Sequence, residues 1–314
     1  MRTVDLTTCY MGLSLSNPLV AAAGPLSFTV KSVERLKQAG IGAIVLHSLF
    51  EEQLSQVSLP PSSPVFSTTT DAYMETIHTL KQTVDIPVIA SLNGCTAGNW
   101  IDFSKELETA GADAVELHVC YLPVSSEISG QTVEQRYLSM AKRIHQQVSV
   151  PVSMKIDPFF SAFSHMAKQL NDVGINGLTL FNRLLQPDFD IDALDIELKW
   201  PISRPGDTGI PLHWISVLCD QFEGALAATG GAHGHEDVIK YLLAGADVVM
   251  LGSALIENGV GYLETLLLGI RRWMMRHDFE SVTDMRGMMS RQSLNHNEQT
   301  ERINYIRMLD GLDK

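Results

Sequence analysis

One phrase recurs four times along the chain: QAGIGAIVL (38–46), TAGADAVEL (109–117), DVGINGLTL (172–180) and LAGADVVML (243–251). Each copy is an amphipathic run that ends on a glycine and continues as a β-branched apolar run. A glycine accepts the left-handed backbone that closes a helix, so each copy predicts a helix-to-strand junction. Gly40, Gly111, Gly174 and Gly245 lie 71, 63 and 71 residues apart, about twice the length of one strand-plus-helix unit. Between them, DIPVIASLNG (85–94) and SVPVSMKIDP (149–158) open their strands with proline instead.

Eight strands are predicted: 19–23, 43–47, 88–92, 114–119, 152–156, 177–181, 225–229 and 248–251. They are apolar without polar alternation, as strands buried on both faces of a parallel sheet must be, and each is followed by a helical pattern. This predicts an α/β chain folded as a single-domain (β/α)8 TIM barrel spanning residues 1–314. An open doubly wound sheet is the structural alternative. It normally carries a GxGxxG loop after its first strand, whereas this first strand runs into AAAGPLS. Two stretches exceed the repeat, 51–70 and 186–208, and read as loop insertions over the C-terminal ends of the strands. The run 279–294 reads as a final surface helix that supports a possible homodimer contact.

Composition narrows the function classes. Of 314 residues, 45% are hydrophobic and 19% charged, which supplies a large core and excludes disorder. The longest apolar stretch, 244–256, carries Asp247 and is too short for a membrane span. With 23 Lys+Arg against 36 Asp+Glu the formal net charge is −13, a surface that repels phosphate backbones and argues against nucleic-acid binding. The four cysteines, Cys9, Cys95, Cys120 and Cys219, show neither CxxC spacing nor metal-ligand partners, so no metal is expected and reduced thiols are. With MRTVDLTTCY lacking the order of a secretory signal, the expected location is cytoplasmic.

In a barrel the informative residues follow the strands: Ala23 and Gly24, His47 and Ser48, Asn93, His118, Lys155, Asn182 and Arg183, Gly230 and Gly231, Gly252 and Ser253. Polar groups converging on one end of a barrel favour a ligand site. ATGGAHGHEDV (228–238) and LGSAL (251–255), at the seventh and eighth strands, suit a phosphate, with glycine amides and the Ser253 hydroxyl as donors. Lys155 places a cation where an anionic ring or enolate would gain from it. Arg183 suits a substrate carboxylate or an Asp of the insertion that follows it. His47 and His118 read either as ligand contacts or as structural histidines.

SNPLVAAAG (16–24), PVIASLNG (87–94), AGADAVELHV (110–119) and ATGGAHGHEDVIKYLLAGADVVMLGSAL (228–255), in this order, resemble the dihydroorotate dehydrogenase family of FMN-dependent barrels. The resemblance implies FMN across the barrel mouth, its phosphate on Gly230, Gly231, Gly252 and Ser253 and its ring against Ala22, Ala23 and Gly24. It further implies Lys155 at the N1/O2 edge of the flavin, Asn182 on the ring or substrate, and His47, Ser48, Asn93 and His118 around it. Hydride would pass to flavin N5 while a base takes the neighbouring proton.

The substrate side departs from the family. His47 stands where a Lys is usual, the segment 56–73 lacks the usual asparagines, and the base loop reads HVCYLP (118–123). The base position falls on Tyr121, with Cys120 one residue out of register. A divergent branch that carries YLP and LFNR elements is also similar. The expectation is therefore an FMN oxidoreductase acting on dihydroorotate or a related small carboxylate, with Tyr121 as acid/base, Lys155 tuning the flavin, and Arg183 and Arg204 on the carboxylate. A soluble electron acceptor or redox partner completes the cycle. A non-catalytic FMN-binding barrel, and a phosphate-binding lyase or isomerase using Lys155, are the alternatives.

Overall fold

The computed structural model describes residues 4–54, 68–183, 187–197, 202–295 and 298–310. A short antiparallel hairpin, β1 (Thr8–Tyr10) and β2 (Leu13–Leu15), precedes the parallel strands. These are β3 (Leu19–Ala21), β4 (Ala43–Phe50), β5 (Val88–Gly94), β6 (Ala114–Val119), β7 (Val152–Ile156) and β8 (Gly177–Leu180). A second hairpin follows, β9 (Asp188–Asp190) and β10 (Asp195–Glu197), and then β11 (Ala225–Thr229) and β12 (Val248–Leu251). The eight parallel strands close into a barrel in the order β11-β12-β3-β4-β5-β6-β7-β8, β8 pairing with β11. The predicted (β/α)8 barrel is thus observed, and the eight predicted runs coincide with its strands. β3 stops two residues earlier than expected, while β4 and β5 run three and two residues further.

The junction glycines adopt the required conformation, with φ +92° at Gly40, +104° at Gly111, +100° at Gly174 and +121° at Gly245. Helices such as Val30–Gln38, Thr70–Thr83, Gly130–Gln147, Phe163–Val173, His235–Ala244 and Tyr262–Arg276 wrap the barrel. Their apolar faces and the outward side chains of the strands form one large core. A second, smaller cluster fills the barrel from below. Tyr10, Met11 and Leu15 of the first hairpin pack against Val20, Val45, Ile89, Ala114, Val248 and Met250 inside it.

Side chains alternate across a strand, so β5 turns Ile89, Ser91 and Asn93 to one side and β6 turns Ala114, Glu116 and His118 to the same side. Register aligns Ser91 with Glu116 and Asn93 with His118, then Glu116 with Ser153 and His118 with Lys155, and finally Lys155 with Thr179. The barrel interior therefore has an apolar floor, a buried polar layer of Ser91, Glu116, Ser153 and Thr179, and above that a layer holding Asn93, His118 and Lys155.

Of the expected insertion at 51–70, residues 51–54 form a helical turn, residues 68–69 lead into the helix Thr70–Thr83, and residues 55–67 lie outside the described residues. The insertion at 186–208 contains the β9–β10 hairpin, with 186 and 198–201 outside the described residues. The run 279–294 is corrected. It holds only the helical turn Val282–Met285, because Gly287 takes φ +73° and the chain then pairs with the helix His235–Ala244, Gly287 N–H to Leu242 O at 3.0 Å and Met289 N–H to Leu243 O at 2.8 Å. The last described helix is Glu298–Asp310. No helix among the described residues is long and apolar enough to cross a membrane.

Candidate functional site

The polar residues gather at the C-terminal end of the barrel, and β5, β6 and β7 supply its centre. Asn93 Nδ2 donates to His118 Nδ1 at 2.8 Å. Nδ1 is thereby the acceptor and the ring proton sits on Nε2. Nε2 is buried and makes no hydrogen bond of ordinary geometry among the described residues, although the Asn182 carboxamide lies beside it. A buried donor without a well-formed acceptor is costly in a folded interior. Burial and the Lys155 charge push His118 down to about 3, with Asn182 opposing the shift. His118 is therefore neutral near neutral pH. Its ring C–H resonances are expected to hold constant positions from pH 5 to 8 in an NMR titration; movement with a midpoint near the ordinary 6.5 would show the ring exposed instead.

Below this layer, Glu116 is fully buried and accepts a hydrogen bond from Thr179 Oγ1 at 2.9 Å. Desolvation holds its carboxyl above the usual range, against the nearby Lys155 cation and the Thr179 bond. Lys155, half-buried, is thus placed between a buried acid beneath it and the mouth above.

Ser48 Oγ bonds Ser91 Oγ at 2.8 Å. The β4–β5 register slips between Val45 and Ser48, and this bulge moves His47 out of line with the interior. His47 stacks on Phe28 at 4.2 Å between ring centroids, meets Tyr73 edge-on at 5.0 Å, and is 3% exposed. Burial pushes it down as well. Its Nε2 has no hydrogen bond among the described residues.

Ala22 and Ala23 follow β3 and pack against the interior cluster, and Ala22 N–H donates to Leu251 O at 2.9 Å. Beside them, after β11 and β12, the latter the hydrogen-bonded neighbour of β3, are the two glycine turns. Gly230 and Gly231 have φ +100° and +71°, and a side chain built on Gly230 would meet nothing within 4 Å. Its carbonyl is fixed by Tyr241 OH at 2.6 Å. Gly252 caps the helix Ser253–Asn258, with only Ala22 Cβ within 4 Å of its own virtual Cβ, at 3.8 Å. These open backbone positions form a cradle that any side chain would fill.

The chain after residue 201 packs over this cradle. Ser203 N–H donates to Ser253 Oγ at 2.8 Å, leaving the Ser253 hydroxyl hydrogen free to donate onward. Arg183 Nη1 bonds Asp207 Oδ2 at 2.9 Å, and Arg204 N–H reaches the same oxygen at 2.9 Å. Of the two partners expected for Arg183, the observed one is the insertion Asp. A Cβ on Gly231 would lie 2.6 Å from Thr208 N and 2.8 Å from Asp207 C. Gly231→Ala is therefore expected to cost about 2 kcal/mol through left-handed backbone strain and displacement of this strap, read as a lower urea midpoint.

The loop after β6 separates its two candidate bases. The Tyr121 ring lies under the Arg136 guanidinium, 3.8 Å from Cζ to centroid, and packs against the outer core. Cys120, of opposite parity, carries the influence of Asp157 and of Asn182. Asp157 follows β7, is 3% exposed, and receives the Tyr137 hydroxyl at 3.5 Å. Sequence reasoning missed Glu116, Asp157 and Tyr137. Period two counted from His118 and Lys155 reaches the first two.

A closed parallel barrel with its polar groups, glycine cradle and central lysine at the C-terminal mouth defines a TIM-barrel enzyme. The chain belongs to the dihydroorotate dehydrogenase family, a family of oxidoreductases, whose sequence profile matches residues 66–274. It is 28% identical over 306 residues to a putative dihydroorotate dehydrogenase A (fumarate) of Aeropyrum pernix, covering 91% of this chain and 98% of the relative. It is 25% identical over 309 residues to the catalytic subunit of dihydroorotate dehydrogenase B (NAD(+)) of Methanothermobacter thermautotrophicus, covering 90% and 98%. The corresponding catalytic subunit of Pyrococcus furiosus is 26% identical over 298 residues, with 88% and 96% covered.

Proposed function

We propose that the protein is an FMN-dependent oxidoreductase that removes two hydrogens from dihydroorotate or a closely related small carboxylate. The observation that carries the reading is the Asn93–His118–Lys155 layer at the C-terminal end of the barrel, in which the buried His118 Nε2 has the Asn182 carboxamide beside it but no hydrogen bond of ordinary geometry among the described residues. FMN supplies the hydride acceptor. Gly230, Gly231, Gly252 and Ser253 would hold its phosphate; Ala22, Ala23, Gly24, Ser48, Asn93, His118, Lys155 and Asn182 would hold its ring, with His47 behind Ser48.

The chain's own contributions follow from charge and protonation. Lys155 places a cation where negative charge gathers on oxidation of the substrate, which stabilises that charge most in a site shielded from water. Neutral His118 presents a hydrogen-bond donor without adding a charge. Arg204, with Arg183 after exchange of its Asp207 partner, binds the substrate carboxylate. Tyr121 and Cys120 are the acid/base candidates of the β6 loop. The replaced asparagines and His47 mark the substrate side as the divergent part, and a soluble acceptor reoxidises the site. The test is the visible spectrum of the purified protein mixed with FMN and freed of excess: bound flavin bands are expected, and their absence would refute the reading.

A further inference from the structure

Ser203 is buried and ties the strap that follows residue 201 to two different partners. Its backbone N–H donates to Ser253 Oγ at 2.8 Å, and its own hydroxyl lies 3.2 Å from His233 Nε2. The other ring nitrogen of His233, Nδ1, is 3.3 Å from Glu257 Oε2. Glu257 stands one helical turn beyond Ser253 on the helix Ser253–Asn258, so the two share a face of it and the four residues close a ring. The backbone of His233 is fixed separately, its N–H donating to Asp237 Oδ2 at 3.1 Å and its carbonyl accepting from Tyr262 OH at 3.0 Å. The placement of the imidazole therefore does not depend on the strap.

The hydrogen bonds run in one direction round this ring. A carboxylate only accepts, so Glu257 takes the Nδ1 proton of a neutral His233, which leaves Nε2 to accept from the Ser203 hydroxyl. Ser203 N–H in turn occupies a lone pair of Ser253 Oγ, and the Ser253 hydroxyl hydrogen is left to donate elsewhere. Further along the same strap, Thr208 N would lie 2.6 Å from a Cβ on Gly231. One short segment thus touches the glycine turn after β11 and the serine that follows Gly252.

We infer that the Glu257–His233–Ser203 chain is a latch that holds the strap 202–208 closed over a phosphate monoester on the two glycine turns, with His233 as its positioning residue. That the phosphate is the one carried by FMN rests on the oxidoreductase reading; the hydrogen-bond chain does not. The latch governs how long the cofactor is retained and takes no part in hydride transfer.

The first measurement needs no flavin. In nitrogen NMR of the histidine-labelled protein at alkaline pH, the His233 ring, assigned by its loss in His233→Leu, is expected to carry its proton on Nδ1 and to move it to Nε2 in Glu257→Ala. A wild-type ring protonated on Nε2 would overturn the chain, and a structural histidine without this partner would not respond to Glu257. The second is the release of FMN from the loaded protein after dilution, followed by the fluorescence of the freed flavin. Release is expected to be roughly tenfold faster in Ser203→Ala and in His233→Leu, the worth of one hydrogen bond. The double variant is expected to be no faster than either single one, because both break the same link. Wild-type release rates, or effects that multiply in the double variant, would overturn the latch. If His233→Leu does not fold, Ser203→Ala and Glu257→Ala complete the same comparison, and Gln at position 233 supplies the assignment. A protein that binds no FMN refutes the flavin reading; amide exchange of residues 202–208 then decides the latch, faster exchange in Ser203→Ala supporting it and equal exchange overturning it.

Discussion

Lys155→Met is expected to leave the barrel folded and FMN bound while slowing anaerobic flavin reduction roughly 100- to 1,000-fold, the usual cost of removing one preorganised stabilising group from a shielded site. Lys155 stands between His118 on β6 and Thr179 on β8, so its stem is held by the two neighbouring strands. Its ammonium is the cation that opposes the upward shift of the buried Glu116. Without it, Glu116 takes up a proton more readily and the interior becomes neutral, so no uncompensated charge is left to unfold the barrel. Methionine keeps an unbranched stem of similar length. The glycine turns proposed to hold the phosphate follow β11 and β12, which do not neighbour β7, and are untouched by the substitution. Stopped-flow reduction at saturating substrate reads the effect; a rate within a few fold of wild type would show that Lys155 does not face the developing charge.

Tyr10→Ala is expected to destabilise the protein by about 3–5 kcal/mol, the range for truncating a large buried aromatic. Tyr10 is 0% exposed and belongs to the hairpin that closes the bottom of the barrel. Its ring packs against the interior floor, and its hydroxyl lies near Glu116, Thr179 and Ser153. Burial, and then the Glu116 carboxylate, push the phenol far upward, so it remains neutral across the working range. The hydroxyl makes no hydrogen bond of ordinary geometry among the described residues, so Tyr10→Phe is expected to cost much less than Tyr10→Ala. Urea unfolding separates the two: a large midpoint drop for alanine and a small one for phenylalanine. Equal drops would show that the hydroxyl, rather than the ring, holds the hairpin.

The barrel was written plainly in the chain because its strands are buried on both faces. Such strands must be continuously apolar, and each helix-to-strand junction needs a residue tolerant of positive φ, as Gly40, Gly111, Gly174 and Gly245 are. The first hairpin carries no such signal. Its strands are three residues long, and Tyr10 matters only because the barrel above it is hollow. The β9–β10 hairpin hides in DFDIDALDIE, where period-two alternation of acidic and apolar residues is present but the cluster of aspartates draws the eye.

Within the site, residues at strand ends were found because their distance from the apolar runs defines them. Their partners were not, since pairing depends on register between strands far apart in sequence. Arg183 illustrates this: its side chain suits a carboxylate from sequence alone, but only the fold shows Asp207 as the one it holds. The β6 loop shows it again. Alignment by motif singles out Tyr121, whereas alternation along β6 turns Cys120 to the side of His118 and Tyr121 toward Arg136.

The most direct measurement is an anaerobic titration of the FMN-loaded protein with dihydroorotate, followed in the visible. The flavin band is expected to bleach as substrate is added and to return when an acceptor is admitted. An FMN-loaded protein whose band is unchanged by dihydroorotate and by related small carboxylates would contradict the proposed oxidation.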